Sequence, residues 1–235
     1  MSMTEIEKVP RHVTFIMDGN GRWAAARGKE RIFGHFEGVE SVRAIMETSA
    51  ELGIEYVSFF AFSEENWGRP EAEVSGLMDL MMRSMKNETR TFLDNGIHFR
   101  VLGDRSRLSD SLNAAIDELD EATAAGTRMT AIIFLSYSGK WDIRQAAERL
   151  ARAGSGDLED YLVTAGVPDP DLMIRTSGEK RISNFLMWQA SYSELYFSDT
   201  LWPDYCDADL DAAIEFFKGR ERRFGMTSEQ VADAR

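Results

Sequence analysis

Near the amino end of the chain, one acid and two glycines stand beside several basic residues. Segment 12–23 reads HVTFIMDGNGRW, with Asp18 between an apolar run and the turn 19–21. A buried strand, a turn that tolerates positive φ and a helix start together present backbone N–H groups to an anion such as phosphate. A carboxylate beside bound phosphate usually implies a bridging Mg²⁺ ion. The alternative is a tight strand-to-helix turn that needs glycine only for its geometry.

Two further basic groups suit phosphate. Arg175, Arg181 and Ser183 offer two guanidinium forks and a hydroxyl within nine residues, which matches a diphosphate. The basic segment 220–223 is either a third anion site or a solvated helix end. Two separate phosphate sites indicate two phosphorylated substrates, a donor and an acceptor.

Several other polar residues admit two interpretations each. Glu194 lies in an aromatic segment, YSELYF, as either a structural carboxylate or a second Mg²⁺ ligand beside Asp18. His35 is a structural histidine, a phosphate donor or a general base, and Trp67 is a loop anchor or a substrate wall. Residues 19–24 also fit a loose dinucleotide-binding pattern, but the acid-ended second strand that this pattern requires is missing.

Composition narrows the class of protein. The chain has 235 residues, of which 43% are hydrophobic and 29% charged, as expected of one soluble domain. A net charge of −13 disfavours nucleic-acid binding, so an anionic substrate requires arginines concentrated locally. The single cysteine, Cys206, excludes a disulfide framework and indicates a reducing compartment. Because no apolar run reaches membrane-spanning length and the N-terminus is acidic, we expect a cytoplasmic protein without a signal peptide.

Alternating strands and helices predict an α/β fold, one domain with a mostly parallel central sheet of about six strands flanked by helices. The predicted strands are 13–17, 54–62, 97–102, 129–135, 172–175 and 193–197. The predicted helices begin at 22 and span 36–52, 71–93, 108–125, a segment ending at 153, 158–165 and 207–218. The ordered core should cover 10–225, with flexible tails at 1–9 and 226–235.

Polar loops follow four of these strands. Ligands of parallel sheets bind beyond the carboxyl ends of the strands, so the four loops should converge on one site. The loops are 18–22, 63–69, 136–142 and 176–184. The methionine-rich helix 71–93, beside the apolar strand 57–62, fits either an ordinary core or a tunnel for a flexible hydrocarbon.

Several motif blocks make the chain recognisable. The blocks are His12–Trp23, Gly34–His35, Phe62–Pro70, Arg175–Gln189, Tyr192–Phe197, Leu201–Asp204 and Arg220–Gly225. On these blocks the chain resembles the cis-prenyltransferases over about residues 12–225, and most closely the bacterial members that make undecaprenyl diphosphate. The resemblance implies a homodimer in which each subunit holds a parallel sheet, flanking helices and an apolar tunnel. It also implies that the C-terminal segment 223–225 reaches into the partner's site.

The resemblance implies a reaction as well. Isopentenyl diphosphate would be added repeatedly to farnesyl diphosphate, with Mg²⁺ as cofactor, and each new double bond would be cis. The undecaprenyl diphosphate produced would be the precursor of the lipid carrier for cell-wall polysaccharides such as peptidoglycan. No nucleic-acid partner is implied, whereas so apolar a product implies peripheral contact with the inner face of the membrane.

Position in the family's motifs also implies residue roles. Asp18, Asn66 and His35 are implied to be catalytic, and Asp18 and Glu194 to be associated with Mg²⁺. The proton acceptor stays open among His35, water bound to Asn66 and the released diphosphate. The implied substrate-binding residues are Gly19, Asn20, Gly21, Arg22, Trp23, Arg31, His35, Ser63, Trp67, Arg69, Arg175, Arg181 and Ser183.

The chain also departs from the family pattern. Segment 136–141 reads SYSGKW where NYGGRW is usual, and 176–180 reads TSGEK where TGGEH is usual. The segment between Ala151 and Val167 is shorter than in typical bacterial members. A catalytically silent subunit is the competing hypothesis, but such a subunit has no chemical need for Asp18 and the arginines. Product length stays open, because it depends on the side chains that close the tunnel floor.

Overall fold

The computed structural model describes residues 9–227 and 229–230. The tails predicted at 1–9 and 226–235 lie largely outside these residues. The strands are β1 (His12–Ile16), β2 (Tyr56–Ser63), β3 (Ile97–Leu102), β4 (Met129–Tyr137), β5 (Leu172–Arg175) and β6 (Glu194–Phe197). They form one sheet in the order β3-β4-β2-β1-β5-β6, with every neighbouring pair parallel. The predicted fold is confirmed, and this sheet is parallel throughout.

Six α-helices flank the sheet within the described part of the chain. They are α1 (Asn20–Ala26), α2 (Arg31–Glu51), α3 (Glu71–Asp94), α4 (Asp110–Thr123), α5 (Gly139–Ala153) and α6 (Asp207–Lys218). Single 3-10 turns occur at Glu64–Gly68, Arg105–Arg107, Leu158–Tyr161, Gln189–Tyr192 and Trp202–Asp204. The two hydrophobic clusters lie on opposite faces of the sheet, and the larger one includes side chains of α2, α3, α4 and α6.

Two predicted helices had wrong bounds. Helix α2 begins at Arg31 rather than 36, because Gly34 in its first turn concealed the start. A Cβ atom at Gly34 would lie 1.9 Å from the Asn20 carbonyl oxygen, so glycine there permits α1 and α2 to touch. The helix predicted at 158–165 is only one 3-10 turn, and beyond it Val163 N donates to Asp142 Oδ1 at 2.9 Å.

The strand order places a switch point between β1 and β5. The chain leaves β1 towards β2 and leaves β5 towards β6, so the connections diverge from two neighbouring strands. A crevice forms where such connections separate, and ligands of α/β sheets bind there. The carboxyl end of β2 is irregular as well, since its register with β4 shifts between Phe60 and Ser63. Bulges of this kind redirect side chains beside binding sites.

No helix within the described residues combines the length and the apolar character needed to cross a membrane.

Candidate active site

Asp18 and Arg175 meet at the switch point. Arg175 Nη2 donates to Asp18 Oδ2 at 2.8 Å, and Gly19 N donates to Asp18 Oδ1 at 2.7 Å. Thr176 joins the two loops, because its hydroxyl oxygen lies 2.6 Å from the Asp18 carbonyl oxygen. Burial raises the pKa of Asp18, but the hydrogen bond and charge of Arg175 outweigh it and hold the pKa below its usual value. Asp18 is therefore ionised at neutral pH.

Arg175 is buried but not fully paired. Its Nη1 atom donates to Ser183 Oγ at 2.7 Å and to the carbonyl oxygen of Arg181. Its Nε atom is buried and has no hydrogen-bond partner within the described chain. A buried N–H group without a partner is costly unless a ligand satisfies it. Arg175 therefore retains a donor for an anion.

The loops after β4 and β5 contain several non-glycine residues with positive φ. These residues are Ser136, Ser177, Ser183, Asn184 and Leu186, with φ values of 53°, 76°, 49°, 62° and 43°. Such conformations are sparsely populated by residues with side chains and cluster at functional sites. The loops are held together by Asn184 Nδ2, which lies 2.7 Å from both Glu65 Oε1 and Ser138 Oγ. The predicted convergence of the four polar loops is confirmed.

Arg22 spans the first and fourth of these loops. Its guanidinium donates to Ser177 Oγ at 2.5 Å and to the Ser177 carbonyl oxygen at 3.1 Å, and it lies 3.6 Å from Asp18. The serine that departs from the family pattern therefore orients an arginine. The N–H groups that begin α1 lie beside this arginine, since the first turn of a helix leaves such donors without intrahelical partners.

Glu73 fixes two more arginines at the rim. Its Oε1 atom accepts from Arg31 Nε at 3.0 Å and from Arg69 Nη1 at 3.1 Å. A Cβ atom at Gly21 would lie 2.9 Å from the Arg31 guanidinium carbon, so glycine makes room for that guanidinium. Sequence reasoning missed Glu73, although its position four residues after Arg69 in the first turn of α3 was a usable signal.

His35 lies on α2 at the mouth of a cavity. Burial, together with the smaller effect of the charges of Arg69 and Arg31, lowers its pKa to about 4. Its Nε2 atom and Asn20 Oδ1 are buried without hydrogen-bond partners in the described residues. Asn66 also lines the mouth and accepts from Ser63 N at 3.2 Å. A neutral imidazole and an amide oxygen are thus left to meet a ligand.

The cavity has a volume of about 640 Å³ in all, and it continues from this polar mouth into an apolar interior between the sheet and helices α2 and α3. This volume is typical of a pocket for a small organic ligand. The methionine-rich face of α3 lines this cavity, which favours the tunnel interpretation over an ordinary core, while a hydrocarbon occupant stays a prediction. The apolar lining includes Val39, Val42, Met46, Phe60, Ala61, Phe62, Leu77, Met78, Met81, Met85, Phe92, Phe99, Ile133, Leu135 and Trp202.

The sequence model of a family described as putative undecaprenyl diphosphate synthase matches residues 16–225. The chain belongs to this prenyltransferase family. A Pseudomonas aeruginosa protein named ditrans,polycis-undecaprenyl-diphosphate synthase ((2E,6E)-farnesyl-diphosphate specific) is 51% identical over 97% of this chain and 95% of its own.

Two solved structures support this membership. Lavandulyl diphosphate synthase from Lavandula x intermedia, in complex with dimethylallyl diphosphate, matches with a TM-score of 0.88 and 33% identity over 92% of this chain and 98% of that one. A probable undecaprenyl diphosphate synthase from Campylobacter jejuni matches with a TM-score of 0.80 and 33% identity over 93% of this chain and 99% of that one.

Seven of the thirteen residues predicted to bind substrate do not line the cavity. They are Gly19, Gly21, Arg22, Trp23, Arg31, Trp67 and Arg181. Trp23 is buried and its Nε1 atom donates to Asp204 Oδ1 at 2.7 Å, so it fixes α1 to a neighbouring 3-10 turn. Trp67 donates to Ser136 Oγ at 2.9 Å, which favours the loop-anchor interpretation. Arg181 is 59% exposed and paired with Glu179 at the rim.

Glu194 is not brought to Asp18 within this chain. It begins β6 in register with Leu172, three residues before Arg175, so about 10 Å of strand separates it from the carboxyl edge. Its Oε2 atom accepts from Arg220 Nε at 2.9 Å. The basic C-terminal segment is likewise tied to the amino edge, where Arg222 pairs with Asp171. A joint Mg²⁺ site of Asp18 and Glu194 in one subunit has no support in this geometry.

A divalent cation nevertheless fits the mouth of the cavity. No group of three or more acidic, histidine or cysteine side chains within the described residues is arranged to enclose a metal ion. Mg²⁺ rarely needs such a cage, because it binds through one or two carboxylates together with water and substrate phosphates. The ionised, partly exposed carboxylate of Asp18 suits that role.

Proposed function

We propose that this protein is a Mg²⁺-dependent cis-prenyl chain elongation enzyme. It would condense isopentenyl diphosphate repeatedly onto farnesyl diphosphate and release undecaprenyl diphosphate, the precursor of a lipid carrier for cell-wall polysaccharides. One observation carries the proposal: a single cavity joins an arginine-rich mouth, with unpaired polar atoms, to a long apolar interior. A diphosphate joined to a hydrocarbon has the same division of polarity. The name of the Pseudomonas aeruginosa relative supports farnesyl diphosphate as the starter.

The two diphosphates would occupy two sides of the mouth. The allylic diphosphate would bind the N–H groups at Gly19–Arg22, with Arg31 and Arg69 at the rim. Isopentenyl diphosphate would bind Arg175 and Ser183, with Arg181 reaching in from the surface. Guanidinium groups match the oxygens of a diphosphate in pairs, so each side has the donors that it needs.

Catalysis would consist mainly of charge stabilisation. The C–O bond of the allylic diphosphate breaks, a carbon–carbon bond to isopentenyl diphosphate forms, and the latter loses a proton. Mg²⁺ held by Asp18 would neutralise charge on the leaving diphosphate. The arginines stabilise the same developing charge, and the apolar walls exclude water from the allylic cation.

The choice among the three candidate proton acceptors can be narrowed. A pKa of about 4 makes His35 a weak base at neutral pH, because efficient bases have pKa values near the working pH. We therefore assign His35 a hydrogen-bonding role towards substrate. The diphosphate and water bound to Asn66 stay as the acceptors.

We also propose a homodimer in the cytoplasm, with peripheral membrane contact for product release. Several large apolar side chains are exposed around the edge strand β6 and the segment after α6. They are Tyr192, Leu195, Phe216 and Phe224, of which Tyr192 packs on Phe224 with ring centroids 5.6 Å apart. Exposed apolar patches of this kind mark protein interfaces.

Incubation of the purified protein with farnesyl diphosphate, labelled isopentenyl diphosphate and Mg²⁺ tests the proposal. We expect butanol-extractable products that grow into a ladder dominated by undecaprenyl diphosphate, and no product when EDTA removes the metal. A folded protein that incorporates no label would overturn the proposed activity and favour a silent subunit. A short dominant product would keep the reaction and correct only the chain length.

A further inference from the structure

An ion pair lines the apolar part of the cavity, and it joins a buried carboxylate to a guanidinium side chain that is 37% exposed. Arg43 on α2 donates through Nε to Glu88 Oε1 on α3 at 3.1 Å, and its Nη2 atom contacts the same oxygen. Glu88 is only 8% exposed, and both residues line the cavity. A charged side chain is rarely buried in an apolar wall, so the presence of Glu88 there needs a reason.

The pair is distant from the polar mouth. Along α2, eight residues separate His35 at the mouth from Arg43, a rise of about 12 Å. Along α3, eleven residues separate Glu88 from Leu77, another residue of the cavity lining, which is a rise of about 16 Å. The hydrocarbon of a substrate held at the mouth would therefore pass the methionine-rich face of α3 before it met the pair.

A second, smaller cavity of about 140 Å³ begins on the other side of the pair. It shares Arg43, Met46, Glu88 and Phe92 with the main cavity, so these four side chains form the partition between the two. The remaining lining of the second cavity is largely polar. It consists of Glu47, Ala50, Glu51, Thr91, Asn95, Ile97 and Arg128.

We propose that the Arg43–Glu88 ion pair is the end wall of the tunnel and sets the upper limit of product length. This inference rests on the proposed function. Each added isoprene unit gains free energy by entering the apolar cavity. A unit that reaches the pair must instead separate or desolvate two charges that also tie α2 to α3, which is unfavourable. Elongation therefore slows when the tail meets the partition.

Arg43 has a second acidic partner, so the ion pair can be broken by mutation of Glu88 alone. Its Nη1 atom also pairs with Glu40, which lies on the outer side of α2 and does not line either cavity. When Glu88 is shortened, Arg43 still has an acidic partner outside the cavity. The passage into the second cavity then opens without leaving the guanidinium unpaired.

Product length in three variants tests the inference. Glu88→Ala should shift the dominant product to a longer chain, because it opens the partition. Glu88→Gln, which is nearly isosteric, should fold even where Ala does not, and should shift the product in the same direction by less. Glu40→Gln is the matched control, since it removes a carboxylate that contacts Arg43 outside the cavity. Its product should equal that of the wild type.

Binding of saturated n-alkyl diphosphates of increasing length, measured by calorimetry, gives a readout that requires no turnover. Wild-type affinity should rise with chain length and then level off, and the levelling point should move to longer chains in both Glu88 variants. A normal synthase whose product length and levelling point stay unchanged in these variants would overturn the inference and leave the proposed function intact. An inactive protein whose levelling point moves would overturn the proposed function and support the partition.

Discussion

Two histidines stand near opposite ends of the sheet, His12 buried and His35 partly buried, and burial is the main reason that the pKa of each is lowered to about 4. At the amino end, His12 Nδ1 donates to the Pro168 carbonyl oxygen at 2.7 Å and Nε2 lies 2.8 Å from Ser58 Oγ. At the carboxyl end, His35 Nε2 has no partner in the described chain. The same side chain is thus satisfied by the fold at one end and left for a ligand at the other.

Two aspartates repeat the contrast. Asp171 accepts from Arg11 N at 2.7 Å and His12 N at 3.1 Å through one oxygen, and pairs with Arg222 through the other. Asp18 is held by Arg175 and Gly19 but faces the cavity. Positive φ values accumulate in the loops near Asp18. One end of the sheet therefore contributes stability, whereas the other retains strain and unpaired groups that catalysis requires.

The largest expected effect separates the two aspartates. Asp18→Asn keeps the shape of the residue and removes its charge, so turnover should fall by about 100- to 1,000-fold, as for the loss of one oxyanion-hole donor (~2.7–4 kcal/mol). Asp171→Asn should instead lower the melting temperature and leave turnover near normal. Steady-state kinetics and thermal unfolding of both variants check this pair. Near-normal turnover of Asp18→Asn would contradict the assigned role.

The pH dependence of stability is the next effect. The folded-state pKa of about 4 lies below the ordinary 6.5, so the unfolded chain binds more protons between these values. The histidine contribution to the free energy of unfolding should be fully present above pH 6.5 and should be lost as the pH falls towards 4. Each histidine should account for a loss of about 3 kcal/mol over this range. Urea unfolding across this range measures the slope. His12→Gln should remove about half of the pH dependence that the two histidines cause. If the free energy of unfolding of that variant varies with pH as in the wild type, His12 is excluded as a source.

Neutral-pH stability should distinguish the histidines more finely. His12→Gln disrupts two buried hydrogen bonds and should cost about 2 kcal/mol of unfolding free energy. His35→Gln removes no such bond and should cost about 1 kcal/mol or less, while it raises KM for the allylic diphosphate. Urea denaturation at neutral pH, together with kinetics, provides the comparison. Equal losses of stability would remove the contrast between the two ends.

The smallest effect concerns Glu73. Glu73→Gln should loosen Arg31 and Arg69 at the rim, and partly exposed ion pairs of this kind contribute about 0.2–1 kcal/mol. We expect KM for farnesyl diphosphate to rise a few-fold while kcat stays close to normal. A large fall in kcat with unchanged KM would show that Glu73 acts on the reaction itself.

Much of the fold followed from local pattern. The alternation of apolar runs and helical spacings predicted a parallel sheet, and that topology alone predicted that loops around Asp18, Asn66 and Ser183 would meet. Helix α2 was harder, because Gly34 looks like a helix breaker and concealed the start, whereas Gly38 lies inside the predicted range 36–52. They are present for contact, since a Cβ atom at Gly38 would lie 2.5 Å from Asn20 Oδ1.

Side-chain pairing between distant segments was not predictable. Nothing local in the sequence shows that Asn184 will hold Glu65, or that Ser177 will hold Arg22. Glu194 shows the limit of motif reasoning, because a motif gives a residue's neighbours in sequence but not the end of the strand at which it lies. The Arg43–Glu88 partition also escaped notice, since each residue alone resembles an ordinary charge on a helix surface.

The most direct test of the functional site is a crystal structure with Mg²⁺ and an unreactive analogue of farnesyl diphosphate. We expect the diphosphate at the start of α1 beside Asp18, within hydrogen-bonding distance of the arginines of the mouth. The farnesyl chain should lie between α2 and α3 and point towards Arg43 and Glu88. A hydrocarbon chain outside this cavity, or a diphosphate at the amino edge near Asp171, would contradict the assignment.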